Sequence, residues 1–148
     1  EALVGQAVGA KSARQIRAAS RICMQLGVIG AIGLAVIFAL TGPWIIDLLT
    51  TSPEVREAAR EYLPWLIAAP VIGIVAWIYD GIFIGAMLTG DMLRAMLTSV
   101  AVYAVALAVL VPMADNHGLW AGLMVLNATR TLTLWRLYPR VPALATSG

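Results

Sequence analysis

Residues 62–90 read YLPWLIAAPVIGIVAWIYDGIFIGAMLTG, and this stretch decides the fold class. Its 29 residues contain a single charged side chain, that of Asp80. At a rise of about 1.5 Å per residue, a helix of this length is longer than the roughly 30 Å thickness of a membrane's hydrocarbon core. Because a helix satisfies its own backbone hydrogen bonds in lipid, the stretch is predicted to be a transmembrane helix.

The composition of the whole chain agrees with this prediction. Of its 148 residues 61% are hydrophobic and 12% are charged, about half the charged share of a soluble domain. These values exclude a soluble globular domain and a disordered chain, and the single cysteine, Cys23, excludes an intrachain disulfide. The sequence has no phosphate-binding loop, zinc-protease motif or nucleophile elbow, so neither an enzyme nor a cofactor nor a metal site is predicted.

Three further stretches are long and apolar enough to cross a bilayer. The sequence therefore predicts an all-α, polytopic membrane bundle of four transmembrane helices, at residues 22–46, 62–90, 95–114 and 118–137. Residues 1–10 are predicted to be the end of a fifth transmembrane helix. The predicted connections are residues 11–21, 47–61, 91–94 and 115–117, and residues 138–148 form a tail.

The basic residues are distributed unevenly between the two sides of this bundle. Residues 11–21, 91–94 and the chain end contribute seven Lys and Arg to one side, and residues 47–61 contribute two to the other. The positive-inside rule places the first side, with the 11–21 loop and the C-terminus, in the cytoplasm. The pI near 9.1 is thus a topology signal, and no nucleic-acid binding is predicted.

Two local patterns predict helix ends and helix contacts. Ser52 followed by Pro53 is typical of an N-cap and a first helical residue. Glycines spaced by three or four residues allow close helix packing or sliding contacts, at Gly27/Gly30/Gly33, Gly5/Gly9 and Gly81/Gly85.

Asp80 is the strongest candidate in the sequence for a functional side chain. A carboxylate in a membrane helix costs about 3 kcal/mol on insertion scales, so it is expected to face the bundle interior or water. There it either binds a proton or cation, or bonds to a hydroxyl or Arg of a neighbouring helix. Trp77, Phe83, Ile84 and Met87 lie at helical spacing from Asp80, and together they could hold a bulky apolar cation.

Two polar residues of the last predicted span, Asn127 and Arg130, are further candidates. Arg130 either snorkels to the cytoplasmic surface or pairs with an acid, an anionic substrate or a lipid. Asn127 lies about one helical turn earlier and could share that site. His117 is the only histidine, and a role in the turn 115–117 is favoured over metal binding.

Four stretches resemble the multidrug and toxic compound extrusion (MATE) family, most closely its DinF-type branch. They are EALVGQAVGA at residues 1–10, YLPW at 62–65, DGIFIGA at 80–86 with Asp91-Met92, and NHGLW at 116–120. The resemblance covers essentially the whole chain. It implies a twelve-helix transporter of two lobes, of which this chain is a C-terminal fragment comprising the end of helix eight and helices nine to twelve. The missing N-terminal lobe is then the chain's main partner.

The resemblance also implies a function. Members of the family export cationic, lipophilic compounds by antiport with H⁺ or Na⁺, so the chain is expected to belong to a multi-pass transporter of the bacterial inner membrane. Asp80 aligns with a tenth-helix carboxylate that forms part of a cation site in another branch, and it either couples ions or shapes the substrate cavity. The alternatives are a lipid-linked oligosaccharide flippase of the same superfamily and a non-transporting assembly subunit.

Overall fold

The computed structural model describes residues 1–146, so the last two residues of the predicted tail, 147 and 148, lie outside the described residues. Every regular element within this range is a helix, which confirms the all-helical prediction. Three helical stretches are long and apolar enough to cross a membrane, namely Ala13–Leu49, Pro53–Gly85 and Thr89–Ala143. The helices are α1 (Ala2–Gly9), α2 (Ala13–Leu49), α3 (Pro53–Gly85), α4 (Thr89–Leu137) and α5 (Arg140–Ala143).

The long helix α4 is interrupted near its middle. Ala114 and Asp115 have non-helical backbone angles, and Asp115 has a φ of 47°, in the left-handed region. Beyond this break Gly118 lies against the carbonyl of Leu110, so closely that a Cβ would not fit. Segments 89–113 and 116–137 therefore pack side by side, and the break lies next to the predicted connection 115–117.

The helices extend beyond the predicted spans. Residues 13–21, 53–61 and 91–94 were expected in connections and are helical, and the tail contains α5. That these residues connect the membrane spans stays a prediction, and at 53–61 the helix begins at Pro53, where the sequence predicts a helix start. Charged residues mark where an apolar run ends, but a helix that has already formed continues into water because each added residue gains a backbone hydrogen bond.

A serine is the N-cap of each of the helices α2 and α3. The Ser12 hydroxyl accepts a hydrogen bond from the Gln15 backbone N–H at 3.3 Å. Ser52 is the N-cap of α3 and Pro53 its first residue, as the sequence predicts, although the Ser52 side chain makes no capping hydrogen bond.

The helices α1 and α3 end in the same motif. After α1 the backbone amides of Lys11 and Ser12 donate to the carbonyls of Val8 and Ala7, at 2.9 and 3.3 Å, and α3 repeats this pattern. Lys11 has a φ of 50°, and Met87 holds the corresponding place with a φ of 59°. These bonds satisfy carbonyls that the helix end would otherwise leave open, in the arrangement known as the Schellman motif.

The buried core lies at one end of the bundle, where α1 and α3 end, where α2 and α4 begin, and where α5 packs. We call this the basic end, because its segments contain seven of the ten basic residues. Gly85 contacts the backbone of Glu1 there, and only a glycine allows this approach. The core consists of Val4, Ala7, Ile16, Ile82, Phe83, Ala86, Ala95, Leu134 and Val141.

Much of α2 faces away from the rest of the chain. Leu26, Ile29 and Leu40 are 66%, 66% and 77% exposed, as expected of side chains that meet lipid or another part of a membrane protein. Of Gly27, Gly30 and Gly33, only Gly27 packs against a neighbouring helix, at Ile78. Gly30 and Gly33 have open space around them, so the packing expected of them is not formed within residues 1–146.

Candidate functional site

A partly buried ion pair joins α3 to the second segment of α4. The Arg130 guanidinium donates to Asp80 Oδ1 from Nε at 3.1 Å and approaches it from Nη2 at 3.0 Å. The Asp80 and Arg130 side chains are 16% and 19% exposed. Of the alternatives that the sequence leaves open, the structure shows the paired state for both residues.

The helical stripe of α3 explains the position of Asp80. At about 100° per residue, Ala76 and Phe83 lie on one flank of Asp80, and Trp77 and Ile84 lie on the other. The first two are fully buried, whereas Trp77 is 56% exposed and Ile84 is 40% exposed. Asp80 thus lies at the border of the buried stripe, where Arg130 can reach it.

The structure does not bring the predicted ligand-binding face together. Phe83 is part of the hydrophobic core at the basic end, while the indole of Trp77 packs over Gly73 of its own helix. Met87 lies beyond the end of α3, in the turn with positive φ, and is 86% exposed. These side chains share a spacing in the sequence, but they diverge because the buried stripe covers only one flank of Asp80.

Asn127 is also separate from the ion pair. Its amide donates to the carbonyl of Leu123, one turn earlier in the same helix, at 3.3 Å. The candidate site therefore consists of two of the seven predicted residues, Asp80 and Arg130.

A second polar cluster, which the sequence does not predict, lies at the other end of the bundle. We call this the loop end, because it contains the α2–α3 connection and the break in α4. The Trp65 indole Nε1–H donates to His117 Nδ1 at 2.9 Å, and His117 Nε2 lies 2.9 Å from Glu61 Oε1. An indole can only donate, so Nδ1 is the acceptor, and Nε2 carries the proton that is donated to Glu61.

The loop end also contains ion pairs. Arg60 Nη2 lies 2.6 and 2.7 Å from the two carboxylate oxygens of Asp47, and Arg56 donates to the carbonyls of Asp47 and Thr50. These contacts close the short connection between α2 and α3. The signal available in the sequence for the Trp65–His117–Glu61 cluster was an acid, a histidine and a tryptophan near the predicted loops.

At the basic end a buried carboxylate is paired with the chain's last arginine. Asp91, in the first turn of α4, accepts from Arg140 Nη1 at 2.7 Å and lies 3.8 Å from Arg94 Nη1. Its side chain is 9% exposed. Over residues 1–146 no group of three or more His, Cys, Asp or Glu side chains is arranged to hold a metal ion.

Comparison with known proteins identifies the family. The MatE family model matches residues 1–110, about three quarters of the chain. The chain belongs to the MatE family. It is also 37% identical over 141 residues to the DNA damage-inducible protein F of Escherichia coli (strain K12), a match covering 95% of this chain. No solved structure matches the chain.

Members of this family are membrane transporters, not enzymes. The resemblance to the MATE family and to its DinF-type branch is thus confirmed. The matched region is 30% of the length of the E. coli relative, so the chain spans only part of that protein's length.

Proposed function

We propose that the chain is a segment of a secondary active transporter that exports cationic, lipophilic compounds in exchange for H⁺ or Na⁺. The observation that carries the proposal is the Asp80–Arg130 ion pair, partly buried between two apolar helices in a member of the MatE family. Charged residues within membrane helices are costly and are characteristic of substrate and ion pathways.

The proposal includes four transmembrane helices. The break at Ala114 and Asp115 divides α4 into segments of about 25 and 22 residues, each long enough to cross a bilayer. With α2 and α3 this gives four spans, with α1 as the end of a fifth. We place the basic end in the cytoplasm, and we propose that the whole transporter has twelve helices and includes an N-terminal lobe outside this chain.

The ion pair suggests how the site could respond to a coupling ion. A proton or Na⁺ bound at Asp80 would neutralise its carboxylate and leave the Arg130 guanidinium without its counterion in a poorly hydrated site. The guanidinium would then move toward water or another acid, and the contact between α3 and α4 would change. Coupling through Asp80 therefore requires the pair to open, whereas a purely structural pair stays closed throughout transport.

The flippase alternative is less well supported by this geometry. It needs several free cationic side chains to hold a pyrophosphate, and the predicted spans contain only Arg130 and, next to the end of the last span, Arg136. The charge of Arg130 is already balanced by Asp80, so the site is close to neutral.

Transport measurements with Asp80→Asn test the proposal. The full chain encoded by the gene would be placed in everted vesicles of a strain that lacks other drug exporters. With a fluorescent lipophilic cation as substrate, we expect Asp80→Asn to lower ion-driven transport by roughly 10–100-fold. Arg130→Gln is expected to change the dependence of the rate on pH or Na⁺, because it removes the competitor of the coupling ion.

Asp47→Asn is the matched control, since it removes an ion-paired carboxylate at the loop end. It should leave the ion dependence unchanged. Unaltered transport by Asp80→Asn over a range of pH and Na⁺ would refute a coupling role for Asp80. No ion-driven transport by the unaltered protein, together with uptake of a pyrophosphate-linked lipid, would refute antiport and support the flippase.

A further inference from the structure

A cavity of about 270 Å³ lies at the basic end, separate from the Asp80–Arg130 pair. It is bounded by the first half of α2, by α3 and by the residue that follows α4. Five of its seven lining residues are polar, although they come from apolar helices. The lining residues are Ser20, Arg21, Met24, Gln25, Tyr79, Ile82 and Tyr138.

Within residues 1–146 the polar side chains of this cavity have no hydrogen-bond or ion-pair partners. The hydroxyl of Ser20 is buried and makes no hydrogen bond, and the residue is only 5% exposed. Over residues 1–146 the side chains of Arg21, Gln25, Tyr79 and Tyr138 also form no hydrogen bond or ion pair. A buried hydroxyl without a partner costs free energy, and such a group is commonly satisfied by a ligand or water.

The chemistry of the lining favours an anion. Arg21 contributes a full positive charge, no acidic residue lines the cavity, and the remaining polar groups can all donate hydrogen bonds. The rings of Tyr79 and Tyr138 lie side by side, with centroids 6.0 Å apart. A guanidinium surrounded by hydroxyl and amide donors suits the several acceptor oxygens of a phosphate better than a single carboxylate.

The position of the cavity also fits a phosphate at the membrane surface. Arg21 immediately precedes the charge-free run that begins at Ile22, so it stands where that run meets the interface. Met24 and Ile82 supply an apolar wall beside the polar groups. We propose that this cavity binds a phosphate group, with Arg21 as the charged ligand and Ser20, Gln25, Tyr79 and Tyr138 as hydrogen-bond donors.

The phosphate could belong to a phospholipid headgroup or to a soluble phosphate ester, and binding experiments distinguish the two. The full chain encoded by the gene, purified in detergent, would be titrated with phosphatidylglycerol in native mass spectrometry. Diacylglycerol with the same acyl chains is the phosphate-free probe. We expect Arg21→Gln to weaken phosphatidylglycerol binding by roughly tenfold, the effect of losing one charge-assisted hydrogen bond. Tyr138→Phe should weaken it by roughly threefold.

Arg17→Gln is the matched control, because Arg17 is an exposed arginine one turn earlier in α2 that does not line the cavity. Thermal unfolding verifies that each variant folds. Equal loss of binding in Arg17→Gln and Arg21→Gln, or equal binding of diacylglycerol, would overturn the proposal. Displacement of the lipid by millimolar glycerol phosphate supports the site with a soluble ester as ligand, and failure of that displacement supports it with a phospholipid.

Discussion

The basic end and the loop end of the bundle are held together by different kinds of contact. At the basic end Val4, Phe83 and Leu134 are fully buried, and α1 approaches α3 closely enough to require glycine. At the loop end the contacts are polar and partly hydrated: the side chains of Asp47 and Arg60 are 38% and 48% exposed. One end is thus packed, and the other is joined mainly by hydrogen bonds and ion pairs.

This difference predicts where the bundle opens. Regions with few buried apolar contacts and hydrated bonds have the lowest free energy of local opening. We therefore expect the loop end to separate first, while the basic end moves as one unit. The Asp80–Arg130 pair lies at the edge of the packed end, since Asp80 is about one helical turn before the core residue Phe83 in α3.

The largest expected effect on stability comes from truncating a side chain of the packed core. Phe83→Ala should lower the free energy of unfolding by about 3–5 kcal/mol, because it removes a fully buried ring and leaves a cavity. The thermal unfolding midpoint in detergent measures this, and amide exchange should accelerate in α1 and at the end of α3. Trp44→Ala, at a 74% exposed aromatic of the loop end, is the control and should change little.

The Phe83→Ala variant also tests the ligand-binding role predicted for Phe83. A structural role predicts a lower unfolding midpoint with unchanged substrate affinity in the surviving folded protein. A ligand role predicts weaker substrate binding at an unchanged midpoint, and this outcome would contradict the assignment of Phe83 to the core.

Much of the fold was predictable from the sequence because the determining signals are local. Runs of apolar residues identified the membrane helices, and Ser52-Pro53 marked the start of α3. The ends of the helices were not predictable from the charged residues. Arg14 and Glu57 indicate that the chain is in contact with water there, but the helices α2 and α3 include both residues. The paired state of Asp80 also lay beyond the sequence, because Arg130 is 50 residues away and the register of two helices decides whether they meet.

The candidate site was predictable only as single residues. Spacing placed Trp77, Phe83 and Ile84 near Asp80, but spacing does not say which flank of a helix is buried. The cavity around Ser20 combines three elements, and its residues are unremarkable one by one. Such sites depend on long-range packing, which a pattern along one helix does not contain.

A smaller effect is expected at the break in α4. Gly118→Ala places a Cβ against the Leu110 carbonyl and the Val111 amide, backbone atoms that cannot move aside without opening the hairpin. We expect a loss of about 2–3 kcal/mol in unfolding free energy, measured by thermal unfolding. Gly30→Ala is the control: nothing lies within 4 Å of its new methyl group, and Ala stabilises a helix relative to Gly. Equal destabilisation by both variants would show that the tight contact at Gly118 is not formed.

The smallest effects compare one ion pair at each end. Arg140→Gln leaves the buried Asp91 with Arg94 at 3.8 Å as its nearest cation, and should cost about 2 kcal/mol, between the values for buried and exposed pairs. Arg60→Gln breaks a pair whose two members are well hydrated, and should cost at most about 1 kcal/mol. Raising the salt concentration should shrink the second cost more than the first, because both members of the Asp47–Arg60 pair are exposed to screening, whereas the Asp91 carboxylate is buried although Arg140 is 55% exposed. Thermal unfolding at low and high salt measures both costs, and equal salt sensitivity in the two variants would remove the distinction between a packed end and a hydrated end.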